Sequence, residues 1–205
     1  MPSSGGPPAR RGSAPADTFV WDGLVRLFHW STAALVAIAF VIDNRAVHEA
    51  AGLTVLPIVA LRILWGFAGP VHARFSDFVK PPGAVIAYLR AMAAGRPPRH
   101  LGHNPAGGAM VLALLGLLLL TAGSGWMSET DRWFGVPWLS DLHGLLANLL
   151  LLAIGLHVAG VLVSSWLHRE NLVRAMLSGR KPAVLDGAEP QHEHGAAAVA
   201  RLDPG

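Results

Sequence analysis

Two hundred and five residues make one domain or two small ones, and only 14% of them are charged, against roughly 25% in an average soluble domain. With 52% hydrophobic residues and a mean hydropathy of +0.43, so short a chain carries more apolar surface than a water-soluble fold can hide. The 16 Lys and Arg against 13 Asp and Glu leave an excess of +3, too small for a nucleic-acid-binding footprint, so no nucleic-acid partner is expected.

Cysteine is absent, which excludes disulfides, thiolate-held metals and a C-x-x-C-H site for covalent haem attachment. Any metal or haem must rest on histidine, methionine or oxygen ligands. Ten histidines are available.

In chain order, residues 1–18 are Pro, Gly, Ser and Ala without apolar periodicity and read as a disordered tail. Arg10-Arg11 suggests a twin-arginine export signal, yet no apolar stretch follows directly. The first apolar run, Leu24–Ile42, is long enough to span a bilayer, which needs ~20 residues. Three more follow: His48–Phe67, with Pro57 inside it, Gly107–Met127, and about Leu142–Leu167. Membrane helices tolerate such a proline. The short link Asp43–Val47 predicts an antiparallel hairpin of the first two helices. In the long connection over 68–106, PPGAVIAYLRAMAAGR places Val85, Tyr88 and Met92 at helical spacing, which predicts a short helix on the membrane surface. The expected fold class is an all-α membrane protein: a four-helix transmembrane bundle over residues 19–181 with interfacial helices. A second disordered tail is expected over 182–205, where His192 and His194 are a weak metal signal.

Orientation follows from the basic residues. Arg74, Lys80, Arg90, Arg96 and Arg99 lie in the long connection, and Arg169, Arg174, Arg180 and Lys181 after the fourth run. The N-terminal arm adds Arg10, Arg11 and Arg26. The opposite side has Arg45 and Arg132. Both termini are therefore expected in the cytoplasm.

An ionisable group inside a bilayer costs a few kcal/mol unless it is paired or ligated. His29 falls in the first helix, His48 at the start of the second, and His143 and His157 in the fourth. A separation of 14 residues puts His143 and His157 ~21 Å apart on one helix face. Helix direction then matches His29 with His157 at one depth and His48 with His143 at the other. Imidazoles converging across a bundle core are a way to hold a metal cofactor. Gly144, Gly155 and Gly160, and Gly52 one turn beyond His48, leave room for a flat macrocycle or, alternatively, let helices pack closely. Arg62 shares the His48 face at the depth of the His29/His157 pair, and Arg26 lies one turn below His29. Arg62 suits a propionate of a haem, while Arg26 suits either a propionate or snorkelling to the cytoplasmic headgroups. His103 is a weaker candidate ligand, expected at a helix entrance on the cytoplasmic surface, while His72, His100 and His168 read as solvated.

The segments WDGLVRLFHW, HEAAG with LRILWGF, GPVHARFSDFV, LGHNPAGG, DLHGLLAN, GLHVAG and HRENLVRAM, in this order, resemble the bacterial cytochrome b561 family. The closest likeness is to its branch similar to the b-type cytochrome subunit of nickel-iron hydrogenase. The resemblance covers about residues 19–181. It implies two haem b groups ligated by His29, His48, His143 and His157. It also implies electron transfer across the bacterial inner membrane between the quinone pool and a redox partner such as a periplasmic c-type cytochrome or an oxidoreductase subunit. Quinone oxidoreductase activity would accompany it. Two other readings compete. An intramembrane serine protease would use Ser124, in Ala122-Gly123-Ser124-Gly125, with His157. A histidine-lined metal-ion transporter would want carboxylates deeper than Glu49, which the runs lack.

Overall fold

A computed structural model of the chain describes residues 18–100 and 102–181; of the tails expected over 1–18 and 182–205, all but Thr18 lies outside the described residues. Four helices are long and apolar enough to cross a membrane: α1 (Gly23–Val41), α2 (Arg45–Ala68), α5 (Pro105–Ser128) and α6 (Pro137–His168). Between α2 and α5 lie a 3-10 turn (Val71–Ala73), the single-turn α3 (Phe75–Phe78) and α4 (Pro82–Ala93). A short α7 (Leu172–Ser178) follows α6. The protein is an all-α membrane bundle.

Helix starts follow local chemistry. Free N–H groups at a helix N-terminus need acceptors, and polar cap residues supply them where the helix enters the hydrocarbon core, which has none. Asp22 accepts from the N–H of Leu24 (2.9 Å) and of Val25 (3.1 Å), Asn44 from Val47 (3.1 Å), and Asn104 from Gly107 (2.7 Å). Helix α6 instead starts on Pro137, which has no N–H to satisfy. At 32 residues it is ~48 Å long, well beyond a ~30 Å hydrocarbon core. Its ends therefore stand in the interfaces.

The expected spans hold to within a few residues, except that α6 begins at Pro137, five residues ahead of the expected start. The interfacial helix appears as α4, whose Tyr88 is buried; burial raises the Tyr88 pKa, offset in part by Ser164. Two small elements carry no apolar signal and were not expected. Strands β1 (Thr18–Phe19) and β2 (Arg180–Lys181) pair antiparallel, and Val20 and Trp21 donate their N–H to the Gly179 carbonyl at 2.8 and 3.1 Å. Gly179 sits at φ +80, and a Cβ there would lie 2.7 Å from the Trp21 carbonyl oxygen. Only glycine fits that turn. This clasp defines the terminal end of the bundle; the links 42–44 and 129–136 define the hairpin end.

Packing runs α1 on α2, α2 on α5, and α5 on α6, with α4 against α5. Helix α6 makes no comparable packing with α1 or α2 among the described residues. Burial is correspondingly lopsided: α2 buries Ala51, Val55, Val59, Arg62 and Gly66, whereas α1 buries Val25 alone. The bundle is closed along three seams and left open along the fourth.

Candidate functional site

The histidines face one another across the bundle. His29 on α1 and His157 on α6 have ring centres 6.4 Å apart along the open seam, and His48 on α2 and His143 on α6 have ring centres 6.0 Å apart. Neither α1 nor α2 packs extensively on α6. Two imidazoles bound to one metal ion through bonds of ~2 Å have ring centres about 6 Å apart. Both separations fit a single ion between each pair. Among the described residues no three His, Asp or Glu side chains gather as a site for a bare metal ion. Two histidines without a third protein ligand would suit a metal whose remaining ligands come with it, as in a macrocycle.

Hydrogen bonds settle which nitrogen is free at the hairpin end. His48 Nδ1 lies 2.9 Å from the Ala39 carbonyl oxygen, and His143 Nδ1 lies 3.0 Å from that of Thr121. A carbonyl only accepts, so Nδ1 carries the proton in both rings and Nε2 keeps its lone pair for a ligand. His143 Nδ1 is also 3.2 Å from the Ser124 hydroxyl, which itself donates to the Thr121 carbonyl at 2.9 Å. Gly125 makes room for this ring: a Cβ there would lie 3.0 Å from His143 Cε1. At the terminal end, His29 Nδ1 is buried with no hydrogen-bond partner.

The glycines beside the histidines sit in space. A Cβ at Gly52, Gly144, Gly155 or Gly160 would meet no atom within 4 Å. Close helix packing does not account for them, and a flat ligand along α2 and α6 fits.

Basic side chains gather at the terminal end. Arg62 is 7% exposed; one terminal nitrogen donates to the Ala73 carbonyl at a long 3.3 Å, and Nη1 is buried without a partner. Its guanidinium carbon lies 5.7 Å from the Phe75 ring centre. Arg26 donates to the Leu177 carbonyl, while its Nε is buried and unpartnered. Lys181 is 5% exposed, 5.9 Å over the Trp21 ring, and burial lowers its pKa. Unused donors on buried cations are vacant positions for a carboxylate.

Three expectations are corrected. His103 does not lie on the surface: its ring is wedged 4.6 Å from Trp21 and 4.7 Å from Phe78, with Nδ1 buried and unpartnered. Burial first, then the charges of Arg62, Lys181, His157 and His72, push its pKa down to about 3. His168 and His72 are not free in solvent either. His168 Nδ1 donates to the Ser164 carbonyl at 2.9 Å with Nε2 buried, and His72 lies 3.2 Å from Asp77. Ser124 meets His143 rather than His157, so the serine–histidine dyad proposed with His157 does not form.

Sequence reasoning missed what α5 and the clasp contribute. Thr121 acts through its backbone, which no residue type reveals. Ser124 and Gly125 were visible in the small-residue run, but their contact with His143 depends on how α5 packs on α6. Lys181 is buried by a two-residue strand without a hydrophobic pattern.

The profile described as "Prokaryotic cytochrome b561" matches residues 20–179. Among curated proteins the chain is 21% identical to a "Probable Ni/Fe-hydrogenase B-type cytochrome subunit" of Rhizobium leguminosarum bv. viciae, over 80% of this chain and 88% of the relative. A protein of the same name from Azotobacter vinelandii is 25% identical over 78% of this chain and 87% of its own length. No solved structure matches.

Proposed function

Because this chain belongs to the prokaryotic cytochrome b561 family and is a multi-pass bacterial membrane b-type cytochrome of electron transfer, we propose that it holds two haem b groups and carries electrons from one side of the membrane to the other. His29 and His157 ligate one, His48 and His143 the other. The observation that carries this reading is the pair of ring separations, 6.4 and 6.0 Å, between helices that do not pack extensively on each other.

Haem b supplies a one-electron couple. The chain supplies everything else. His48 and His143 present Nε2 because their Nδ1 protons are committed to carbonyl oxygens. Arg62 and Arg26, both at the terminal end, receive propionates through the nitrogens that lack partners. The apolar faces of the four helices keep water and ions from the path between the two sites, which lie ~21 Å apart along α6. Both termini are cytoplasmic, so the terminal-end site faces the cytoplasm. Quinone is one exchange partner. The other is a c-type cytochrome or an oxidoreductase subunit docking at the hairpin end, a reading supported by the hydrogenase-subunit names of the relatives.

A visible spectrum of the purified protein tests this, with haem counted per chain. Reduced α and Soret bands and two haems are expected. His29→Ala and His157→Ala should then lose the same haem, and His48→Ala and His143→Ala the other, because nothing covalent retains haem b once a ligand is gone. Absence of the bands refutes the reading; a match of His29→Ala with His143→Ala refutes the pairing.

A further inference from the structure

The two histidine pairs are built differently, and the difference has a sign. At the hairpin end both rings donate Nδ1–H to backbone carbonyls, Ala39 at 2.9 Å and Thr121 at 3.0 Å. At the terminal end His29 Nδ1 has no acceptor. A proton drawn toward a carbonyl leaves more electron density on the opposite nitrogen, and a more basic ligand favours the oxidised, more positive metal. The hairpin-end site is therefore the harder one to reduce.

Fixed charge acts in the same direction. Residues 43–49 and 129–141 at the hairpin end hold Asp43, Glu49, Glu129, Asp131 and Asp141 against Arg45 and Arg132. Arg45 is already engaged by Glu49 at 2.5 Å and by Glu129 at 2.8 Å. The terminal end buries Arg62 and Lys181 with Arg26 nearby. Asp22 acts on Arg62 and Glu170 on Lys181, two carboxylates against these three cations, and Glu170 is itself paired with Arg99. Carboxylates near a site oppose gain of an electron, and buried cations favour it.

Resting on the two-haem reading, we propose that the His48/His143 site has the lower reduction potential and that Thr121, Ser124 and Gly125 of α5 set it by positioning His143. Helix α5 contributes no ligand, yet it grips this ring on two sides. The Ser124 hydroxyl gives its proton to Thr121 at 2.9 Å, so its lone pair faces His143 Nδ1 at 3.2 Å. Gly125 lets the ring approach closely enough for both bonds. One electron then passes downhill from the hairpin-end site to the terminal-end site; the first is oxidised, the second reduced, and no bond is made or broken. The partner at the hairpin end is accordingly a one-electron donor, a reduced redox protein.

Spectroelectrochemical titration of the full-length haem-loaded protein decides this, with electron paramagnetic resonance of the oxidised form as a second readout. Two one-electron waves are expected, and His29→Ala, which keeps the hairpin-end site, should retain the lower. Gly125→Ala places a methyl 3.0 Å from His143 Cε1, so the ring must shift by a few tenths of an ångström and its bonds to Thr121 and Ser124 weaken. It should raise the lower wave by about tenfold in the oxidised-to-reduced ratio, ~59 mV for one electron, and leave the upper wave in place. Ser124→Ala should move only the lower wave and alter its resonance signal, and Ser124→Thr, which keeps the hydroxyl, should restore both. Retention of the upper wave by His29→Ala overturns the ordering. Unmoved waves in Gly125→Ala and Ser124→Ala overturn the role of α5. A protein without haem bands overturns the functional reading and this one with it, whereas two intact haems of reversed order leave the functional reading standing.

Discussion

Arg62→Leu should have opposite effects on the empty and the loaded protein. The guanidinium is 7% exposed, has one long bond of 3.3 Å to Ala73, and leaves Nη1 without a partner. Its contact with the Phe75 ring at 5.7 Å is worth ~1–2 kcal/mol. The bond to Ala73, at the weak end for a charged donor, adds ~1.5 kcal/mol. Against these stands the cost of removing a cation from water, several kcal/mol even after relaxation. Leucine removes all three contributions, so the haem-free variant should be more stable by about 1–3 kcal/mol. Loading reverses the outcome. A propionate that had paired with Arg62 is left unpartnered, at a cost of ~3–5 kcal/mol, which lowers haem affinity by roughly two to four orders of magnitude. Thermal melts of haem-free protein in detergent measure the first effect, and haem transfer to apomyoglobin the second. Equal melting and equal haem loss in variant and wild type would refute the argument, since a snorkelling arginine predicts neither change.

His103 gives a pH dependence of definite sign: its folded pKa of about 3 lies below the ordinary 6.5, so the unfolded chain binds a proton that the folded chain refuses. Stability of the haem-free protein should be flat above pH 6.5 and fall on acidification through that window by up to ~1.4 kcal/mol per pH unit; His103→Phe should lessen the slope, and equal slopes in melts from pH 5 to 7.5 would contradict the burial argument. For topology, alkaline phosphatase fused after Lys181 should be inactive and fused near Arg132 active. The reverse pattern would exchange the sides assigned to the two sites.

The long elements were legible because their signal is large and one-dimensional. Four apolar runs of about bilayer length locate the spans without tertiary information, to within five residues at every end. Matching the histidines by depth needed only helix direction and a rise of ~1.5 Å per residue, and the rings do meet in those pairs. What escaped was whatever depends on a backbone group or on packing of short segments. His103 follows a glycine and precedes an N-cap, a local setting that reads as a surface loop. Its burial comes from Trp21, brought over by the clasp, and from Phe78 of the single-turn α3. Neither contact leaves a periodic trace. The acceptors of His48 and His143 are carbonyls of Ala39 and Thr121, and every residue carries a carbonyl.

The glycines show why the two readings of small residues had to be left open until side chains were placed. Near a membrane helix interface, glycine serves either to let backbones approach or to keep a volume clear. This protein uses it for both. At Gly108 a Cβ would lie 2.4 Å from the Phe78 carbonyl oxygen, and at Gly66 it would lie 2.3 Å from the Phe75 ring. These two press α3 against α5 and α2, and so fix the wall that surrounds His103 and Arg62. Gly125 seats His143 in the same manner. Gly52, Gly144, Gly155 and Gly160 have nothing within reach of a Cβ, and the two helices that carry them, α2 and α6, are bridged by His48 and His143 without packing extensively on each other. A bundle held together by side-chain burial alone would fill such positions with leucine or valine, as the rest of α6 does, because each empty methyl-sized volume forfeits dispersion contacts. Gly116 and Gly123 of α5 are equally open, so clear volume alone does not mark a ligand; it is the open glycines next to the paired imidazoles, at Gly52 and Gly144, that suit one under the two-haem reading.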